Sequence, residues 1–185
     1  MSVNASECKF GWKAKDFNLL SVDNKYHSLD SMIGKKGTVI VFICNHCPYV
    51  ISIAHRLSFE AKELIKIGIN TIAIMSNDVE SYPDDSFKNM KKFSSKYGFI
   101  FPYLYDSKQE VAKKFNAICT PDFFGFNKNL ELQYRGRIDS SVVNIKNKDI
   151  KRELFNAMQY ISKYNVGPKK QYNSFGCSIK WKNDK

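Results

Sequence analysis

The pattern of apolar residues in the middle of the chain predicts a strand, a long helix and a second strand. Residues 38–43 are mostly apolar and β-branched without alternation, which indicates a strand buried on both faces. Residues 49–67 place apolar side chains three and four positions apart, which indicates an amphipathic helix, and Gly68 is a natural end for it. Residues 70–75 repeat the buried-strand pattern. We therefore expect two parallel strands joined by a right-handed helical crossover.

Shorter patterns on both sides of this unit predict an α/β fold. They indicate further strands, in two hairpins and one single strand, at 17–22 with 26–29, at 122–126 with 130–134, and at 102–105. They indicate further helices as a brief turn after Asp30, at 86–97, from Ser107 to Phe115 with Glu110 completing a capping box, and at 149–164. This order predicts a mixed central β-sheet flanked by helices, with the first hairpin as an N-terminal extension.

The last part of the chain, residues 165–185, has no periodicity and is predicted to be an irregular tail. It still contains Phe175, Ile179 and Trp181, so we expect it to pack on the body of the protein. A length of 185 residues suits one domain with a sizeable core, and residues 1–185 are expected to form it.

Charge and composition exclude several classes of function. The formal net charge is +11, but lysine is frequent along the whole chain and no nucleic-acid motif accompanies it, so nucleic acid is not an expected partner. No apolar run reaches the roughly 18 residues of a membrane-spanning helix. The first ten residues lack the apolar core of a secretory signal, and we expect a reducing, cytoplasmic location.

Two cysteines lie where the first buried strand hands over to the long helix, in Cys44-Asn45-His46-Cys47-Pro48. The thiolate is the reactive form of cysteine, and a helix N-terminus stabilises it. This placement predicts a redox-active site. The chain has five cysteines, an odd number in a chain too long for a disulfide scaffold, and Cys8 is interpreted as an incidental thiol.

Two assignments of the nucleophile compete. In the first, Cys44 attacks, Cys47 resolves, and His46 between them stabilises the thiolate. In the second, Pro48 takes the first helical position, so Cys47 is the N-cap and its sulfur faces the free amides of the first turn. We favour the second assignment. It leaves Cys44, Cys119 and Cys177 as candidate resolving thiols.

Cofactors are not expected. Cys44, His46, Cys47 and Cys177 are residue types that bind zinc, but one C-x-x-C without a second pair is a weak zinc signal, and no metal is expected. The sequence contains no glycine-rich phosphate loop or dinucleotide fingerprint. Reducing power is therefore expected from a partner, such as a thioredoxin or a low-molecular-weight thiol.

The chain resembles the thioredoxin-like superfamily, in its peroxiredoxin-like branch of alkyl hydroperoxide reductase and thiol-specific antioxidant proteins. The resemblance rests on residues 41–50, 119–123, 134–139 and 176–181 and, with the N-terminal hairpin, covers nearly the whole chain. It implies a thioredoxin-like fold. It also implies that the active cysteine follows a strand aromatic by five positions, which is the spacing from Phe42 to Cys47.

By the same resemblance, Thr120 and Pro121 form a cis-proline loop that faces the redox cysteine, with Cys119 beside it. Arg135 and Arg137 are placed near the active face, where a cation lowers the pKa of a thiol. The alternative for the two arginines is alternating surface charge on an edge strand.

The sequence departs from true peroxiredoxins, which carry the pattern Pro-x-x-x-Thr-x-x-Cys. Counted from Cys47, Ile40 and Cys44 stand at the Pro and Thr positions. We therefore expect a thiol–disulfide oxidoreductase with an antioxidant role that acts on protein disulfides. A thiol peroxidase that reduces hydroperoxides is the rival enzyme, and a non-catalytic binding module of the same fold is the rival from another class. A homodimer is compatible with either.

Overall fold

The computed structural model describes residues 1–141 and 149–182. The strands in these residues are β1 (Ser2–Asn4), β2 (Asn18–Ser21), β3 (Tyr26–Ser28), β4 (Gly37–Phe42), β5 (Ile69–Met75), β6 (Tyr103–Tyr105), β7 (Cys119–Thr120), β8 (Asp122–Asn127), β9 (Leu132–Gly136) and β10 (Phe175–Ser178). The α-helices are α1 (Pro48–Lys66), α2 (Phe87–Tyr97), α3 (Glu110–Phe115) and α4 (Glu153–Tyr164), and short 3-10 helices lie at Asp30–Met32 and Pro83–Asp85.

The central sheet has the strand order β3-β2-β6-β5-β4-β8-β9. Strand β5 is parallel to β4 and β6, and the other pairs are antiparallel. Every residue of β4 is buried, which explains its lack of alternation. Helix α1 joins β4 to its parallel neighbour β5, so the predicted strand–helix–strand unit and the mixed sheet are confirmed.

Apolar side chains cover both faces of this sheet. On one face, Val39, Val41 and Ile43 pack in a cluster with residues of α1, α2 and α4. On the other face, Ile40 and Phe42 pack with residues of α3 and of the N-terminal hairpin. Each fully buried side chain of this size contributes about 1.5–3 kcal/mol to the stability of the fold.

None of the helices in the described residues is long and apolar enough to cross a membrane.

A second, three-stranded sheet forms at the end of the chain, in the order β1-β10-β7. The tail was predicted to be irregular, and this is wrong for β10, which pairs antiparallel with both β1 and β7. Ile179 is buried as expected, whereas Phe175 and Trp181 remain 45% and 39% exposed. Strand β1 was not predicted. Its three residues are too few to show an alternating pattern, and its partner β10 lies at the far end of the chain.

Two predicted helix starts are also wrong. Ser107 does not cap α3, which begins at Glu110 after Gln109 in a left-handed conformation. The carboxylate of Asp106 instead accepts the amide of Ala112 at 2.9 Å. Helix α4 begins at Glu153 rather than 149, because Lys151 exchanges hydrogen bonds with Ser140 and is held out of the helix.

The last predicted strand, 130–134, corresponds to β9, which begins and ends two residues later, at Leu132–Gly136. The side chain of Asn127 accepts the amides of Asn129 and Glu131 and so lengthens the turn after β8. The strand consequently begins at Leu132.

Replacement of Gly176 by alanine is expected to detach β10 from β7. A Cβ at this position would lie 2.0 Å from the carbonyl oxygen of Thr120, and backbone cannot yield as a side chain can. We expect a loss of about 1–3 kcal/mol in the free energy of unfolding, measured in urea. Ser178→Ala, in the same strand, serves as the control. Equal stability of Gly176→Ala and the wild type would show that β10 is not packed as described.

Candidate active site

Cys47 is the N-cap of α1, as predicted. Its backbone is extended (φ −67°, ψ 122°), and Pro48 follows as the first helical residue. Proline suits this position because its missing N–H would have no partner there. The Cys47 side chain is fully buried at the positive end of a 19-residue helix.

The loop facing Cys47 contains a cis peptide bond between Thr120 and Pro121, so the cis-proline prediction is confirmed. The Cys47 Sγ lies 3.2 Å from the Thr120 carbonyl oxygen, to which the thiol donates in its protonated form. Cys177 of β10 lies directly opposite Thr120 in the antiparallel pairing. The C-terminal segment therefore folds over the site.

The surroundings of Cys47 stabilise its thiolate. They lower its pKa to about 5, chiefly through a hydrogen bond from the Cys44 thiol, with further ones from the Cys177 thiol and from the amides of Val50 and Cys177. Burial opposes this shift, because it removes the anion from water. The neighbouring Cys44 thiol is thus the main cause of the low pKa of Cys47.

Cys44 keeps its proton when Cys47 ionises. It is buried, and its Sγ lies 3.4 Å from the Thr120 hydroxyl. Its pKa is raised well above the ordinary value, first by the hydrogen bond to Cys47, then by burial and by the negative charge of Asp85. The two thiols of the C-x-x-C therefore differ in the direction that favours Cys47 as nucleophile.

The remaining cysteines are placed differently. Cys177 is partly exposed and touches Cys47, and burial is the main cause that raises its pKa to about 11. Cys119 is fully buried, and its Sγ–H points to the Pro121 carbonyl oxygen at 3.6 Å. Burial and the charge of Asp122 raise the pKa of Cys119. Because neighbouring strand residues face opposite sides, Cys119 turns away from the side on which Thr120 meets Cys44.

The structure adds a buried carboxylate that the sequence did not reveal. Asp85 lies about forty positions from the cysteine motif, yet its Oδ1 accepts the amides of Asn45 and His46 at 2.7 and 3.4 Å. Its Oδ2 lies 2.8 Å from His46 Nδ1 and accepts the Asn77 side-chain amide at 2.7 Å. Asp85 thus holds the loop between the two cysteines.

Aromatic rings also hold this loop. The imidazole of His46 stacks on Tyr82, with ring centroids 5.6 Å apart and planes 9° apart. The hydroxyl of Tyr103 donates to the side-chain oxygen of Asn45 at 3.0 Å. No local pattern in the sequence marks Tyr82, Asn77 or Asp85 as neighbours of the cysteines.

The two candidate arginines have different surroundings. Arg137 pairs with Glu153 through two hydrogen bonds of 2.6 and 3.0 Å and lines a cavity of about 410 Å³ beside Pro121 and Tyr49. Arg135 is buried and pairs with Asp122 at 2.8 Å. Surface charge is therefore the wrong interpretation for Arg135, which neutralises a carboxylate inside the protein.

The side chains around Cys44 do not form a suitable metal-binding site. Polar atoms of Cys44, His46 and Asp85 lie within 4.8 Å of one another. Both oxygens of Asp85, however, already accept hydrogen bonds from amide groups, and a metal would have to displace them. The geometry fits a hydrogen-bonded thiol site better than a zinc site.

Comparison with known proteins agrees with this description. The fold is thioredoxin-like, and the site is a pair of thiols at the start of a helix. Residues 10–135 match the AhpC/TSA family, and the chain belongs to that family. Membership supports a thiol-based redox function in general. No curated protein sequence matches the chain.

Solved structures extend the similarity to the whole chain. An uncharacterized conserved protein from Geobacillus kaustophilus is 40% identical (TM-score 0.95), and the match covers 100% of this chain and 98% of that one. A hypothetical protein from Sinorhizobium meliloti 1021 is 31% identical (TM-score 0.92; 97% and 98% covered). A secreted Mycobacterium tuberculosis disulfide oxidoreductase homologous to E. coli DsbE shares the fold at 19% identity (TM-score 0.59; 78% and 95% covered).

Replacement of Cys44 by alanine is expected to raise the pKa of Cys47, because it removes the main donor to the thiolate. The pH dependence of alkylation by iodoacetamide, followed by mass spectrometry, measures this. In the wild type the rate should fall as the pH drops through about 5. In Cys44→Ala that fall should come at a higher pH, whereas Cys44→Ser retains a donor and should shift less. A fast-reacting thiol that survives in Cys47→Ser would overturn the assignment of Cys47.

Proposed function

We propose that the protein is a thiol–disulfide oxidoreductase whose nucleophile is Cys47 and whose substrates are protein disulfides. The observation that carries this proposal is the position of Cys47 at the N-cap of α1, with its sulfur 3.2 Å from the Thr120 carbonyl oxygen and the Cys44 sulfur 3.4 Å from the Thr120 hydroxyl. Such a site supplies both a thiolate at neutral pH and a second thiol within reach.

The reaction has two exchange steps. The Cys47 thiolate attacks one sulfur of the substrate disulfide, the substrate S–S bond breaks, and one substrate thiol leaves with a proton from solvent. A second thiol of the chain then attacks Cys47 Sγ and releases the other substrate thiol. The substrate disulfide gains two electrons and the protein dithiol loses them. A thioredoxin or a low-molecular-weight thiol would reduce the protein again.

Cys44 is the best-placed resolving thiol. Its sulfur packs in the same buried cluster as Cys47, both sulfurs contact Thr120, and Cys44 lies three positions from Cys47 in the chain. Cys177 also contacts Cys47 but lies on β10, so it is the second candidate. Cys119 was predicted as an alternative, and its orientation toward the Pro121 carbonyl makes it the least suited of the three.

Substrate binding is supported by the cavity beside Pro121. Tyr49, Ile53 and Phe175 contribute apolar walls, and Arg137 contributes a charged one. Cys47 itself is buried, whereas Cys177 is partly exposed. A protein substrate therefore has to displace the Cys177 side chain to reach the nucleophile. Because Cys47 works as a reduced thiol, the proposal places the protein in a reducing compartment such as the cytoplasm.

Thiol peroxidase activity is the second candidate function. AhpC/TSA membership favours it, and the Cys44 thiol supplies a hydrogen bond from the position where peroxiredoxins carry threonine. A thiol is a weaker donor than a hydroxyl, and the upstream proline of the peroxiredoxin pattern is Ile40. We therefore expect slow peroxide reduction. A protein that reduces neither disulfides nor peroxide, and whose thiols react at the rate of free cysteine, would instead support a non-catalytic binding module.

Cys47→Ser is expected to lower the rate of insulin disulfide reduction at least about 100-fold, because nucleophilic attack is lost. Turbidity from precipitating insulin chains, with dithiothreitol as reductant, measures the rate. Cys8→Ser is the matched control and should keep wild-type activity, since Cys8 lies outside the site. The same samples are tested for hydrogen peroxide consumption. Faster turnover of peroxide than of insulin would favour the peroxidase instead.

Mild oxidation is expected to join Cys44 to Cys47. Peptide mapping by mass spectrometry after oxidation with oxidised glutathione identifies the disulfide. In Cys44→Ser the expected product is a bond between Cys47 and Cys177, because that thiol also touches the nucleophile. A bond from Cys119 to Cys47 in the wild type would contradict the orientation of Cys119 described above.

A further inference from the structure

Cys44 faces a proton-transfer problem in the resolving step. Its side chain is only 1% exposed, so water cannot readily take its proton. A neutral thiol is a poor nucleophile, and the thiolate must form before Cys44 can attack Cys47. The resolving step therefore needs a proton acceptor next to Cys44.

The structure places one there. The Cys44 Sγ, a ring nitrogen of His46 and a carboxylate oxygen of Asp85 all lie within 4.8 Å of one another. One water molecule can bridge such a separation. The Asp85 side chain is fully buried, whereas that of His46 is 26% exposed. A proton from the buried thiol thus has a path to solvent through the imidazole.

The pair is also held in one orientation. Asp85 accepts from His46 Nδ1 at 2.8 Å, which leaves the other ring nitrogen as an acceptor when the imidazole is neutral. The carboxylate is fixed in turn by the Asn77 side-chain amide and by the amide of Asn45. Stacking on Tyr82 fixes the plane of the ring.

We propose that His46 accepts the proton of Cys44 in the resolving step, with Asp85 as the positioning residue that orients the ring and stabilises the imidazolium. The inference rests on the proposed function. In this step the Cys44 S–H bond breaks and its proton moves to His46. The Cys44 thiolate forms a bond to Cys47 Sγ as the bond from Cys47 to the substrate sulfur breaks. The substrate leaves as a thiolate and regains a proton from His46 or from solvent.

A two-phase release assay isolates this step. One equivalent of dithiobis(nitrobenzoate) is added to reduced protein carrying Cys177→Ser, which removes the competing thiol. The first thionitrobenzoate is released by attack of Cys47, and the second by attack of Cys44 on the mixed disulfide. The His46→Ala change is expected to slow the second phase by about 100-fold, the scale of general-base catalysis, and to leave the first phase nearly unchanged.

Rescue and control variants separate proton transfer from a structural role. Added imidazole should restore the second phase in His46→Ala, and Asp85→Asn should slow that phase while retaining the shape of the side chain. His27→Ala is the matched control, because His27 also pairs with a carboxylate, that of Asp23 at 3.0 Å, away from the cysteines. It should change neither phase.

The outcomes distinguish the two proposals. If both phases slow equally in His46→Ala, or if imidazole restores nothing, His46 only supports the loop and this inference is wrong. If the reference protein releases no second thionitrobenzoate, Cys44 does not resolve, and that part of the proposed function fails before His46 is tested. Two phases in the reference protein with an unaltered second phase in His46→Ala overturn the inference alone.

Discussion

The site depends on the stabilisation of one anion, the Cys47 thiolate, inside a buried environment. Burial alone would keep this sulfur protonated, because an anion loses its hydration there. The Cys44 thiol, together with the Cys177 thiol and the amides of Val50 and Cys177, outweighs that penalty. Cys44 keeps its proton when Cys47 loses one, because the hydrogen bond to Cys47 raises the pKa of Cys44. The two sulfurs therefore form one unit, and the chemistry depends on both.

The rest of the fold positions the donors around that unit. Cys44 follows the end of β4, Cys47 is the N-cap of α1, and β10 brings Cys177 opposite Thr120. Gly176 permits this approach, because any side chain there would meet the Thr120 carbonyl. The buried Asp85 fixes the turn between the two cysteines. The cysteine motif, Asp85, Thr120 and Cys177 are distant from one another in sequence and yet meet at one site.

Predictions from local patterns succeeded where the pattern has a local cause. Unbroken apolar residues predicted β4, and Pro48 after Cys47 predicted the helix start, because both express constraints within a few residues. Resemblance, rather than periodicity, supplied the cis bond before Pro121. The capping box at Ser107 failed because Asp106 offered the α3 amides a competing acceptor. The surface-charge alternative for Arg135 is wrong because its partner, Asp122, lies on the neighbouring strand.

The α/β order, the family resemblance and the position of a thiol pair at a strand–helix junction can all be read from the amino-acid sequence. These follow from short-range rules of periodicity, proline placement and motif. The positions of Cys177 over the nucleophile, of Cys119 turned away from it, and of His46 beside Asp85 are visible in the folded chain alone. Such contacts depend on strand pairing and loop packing between residues far apart in the chain, such as the 39 positions between His46 and Asp85, which no local pattern encodes.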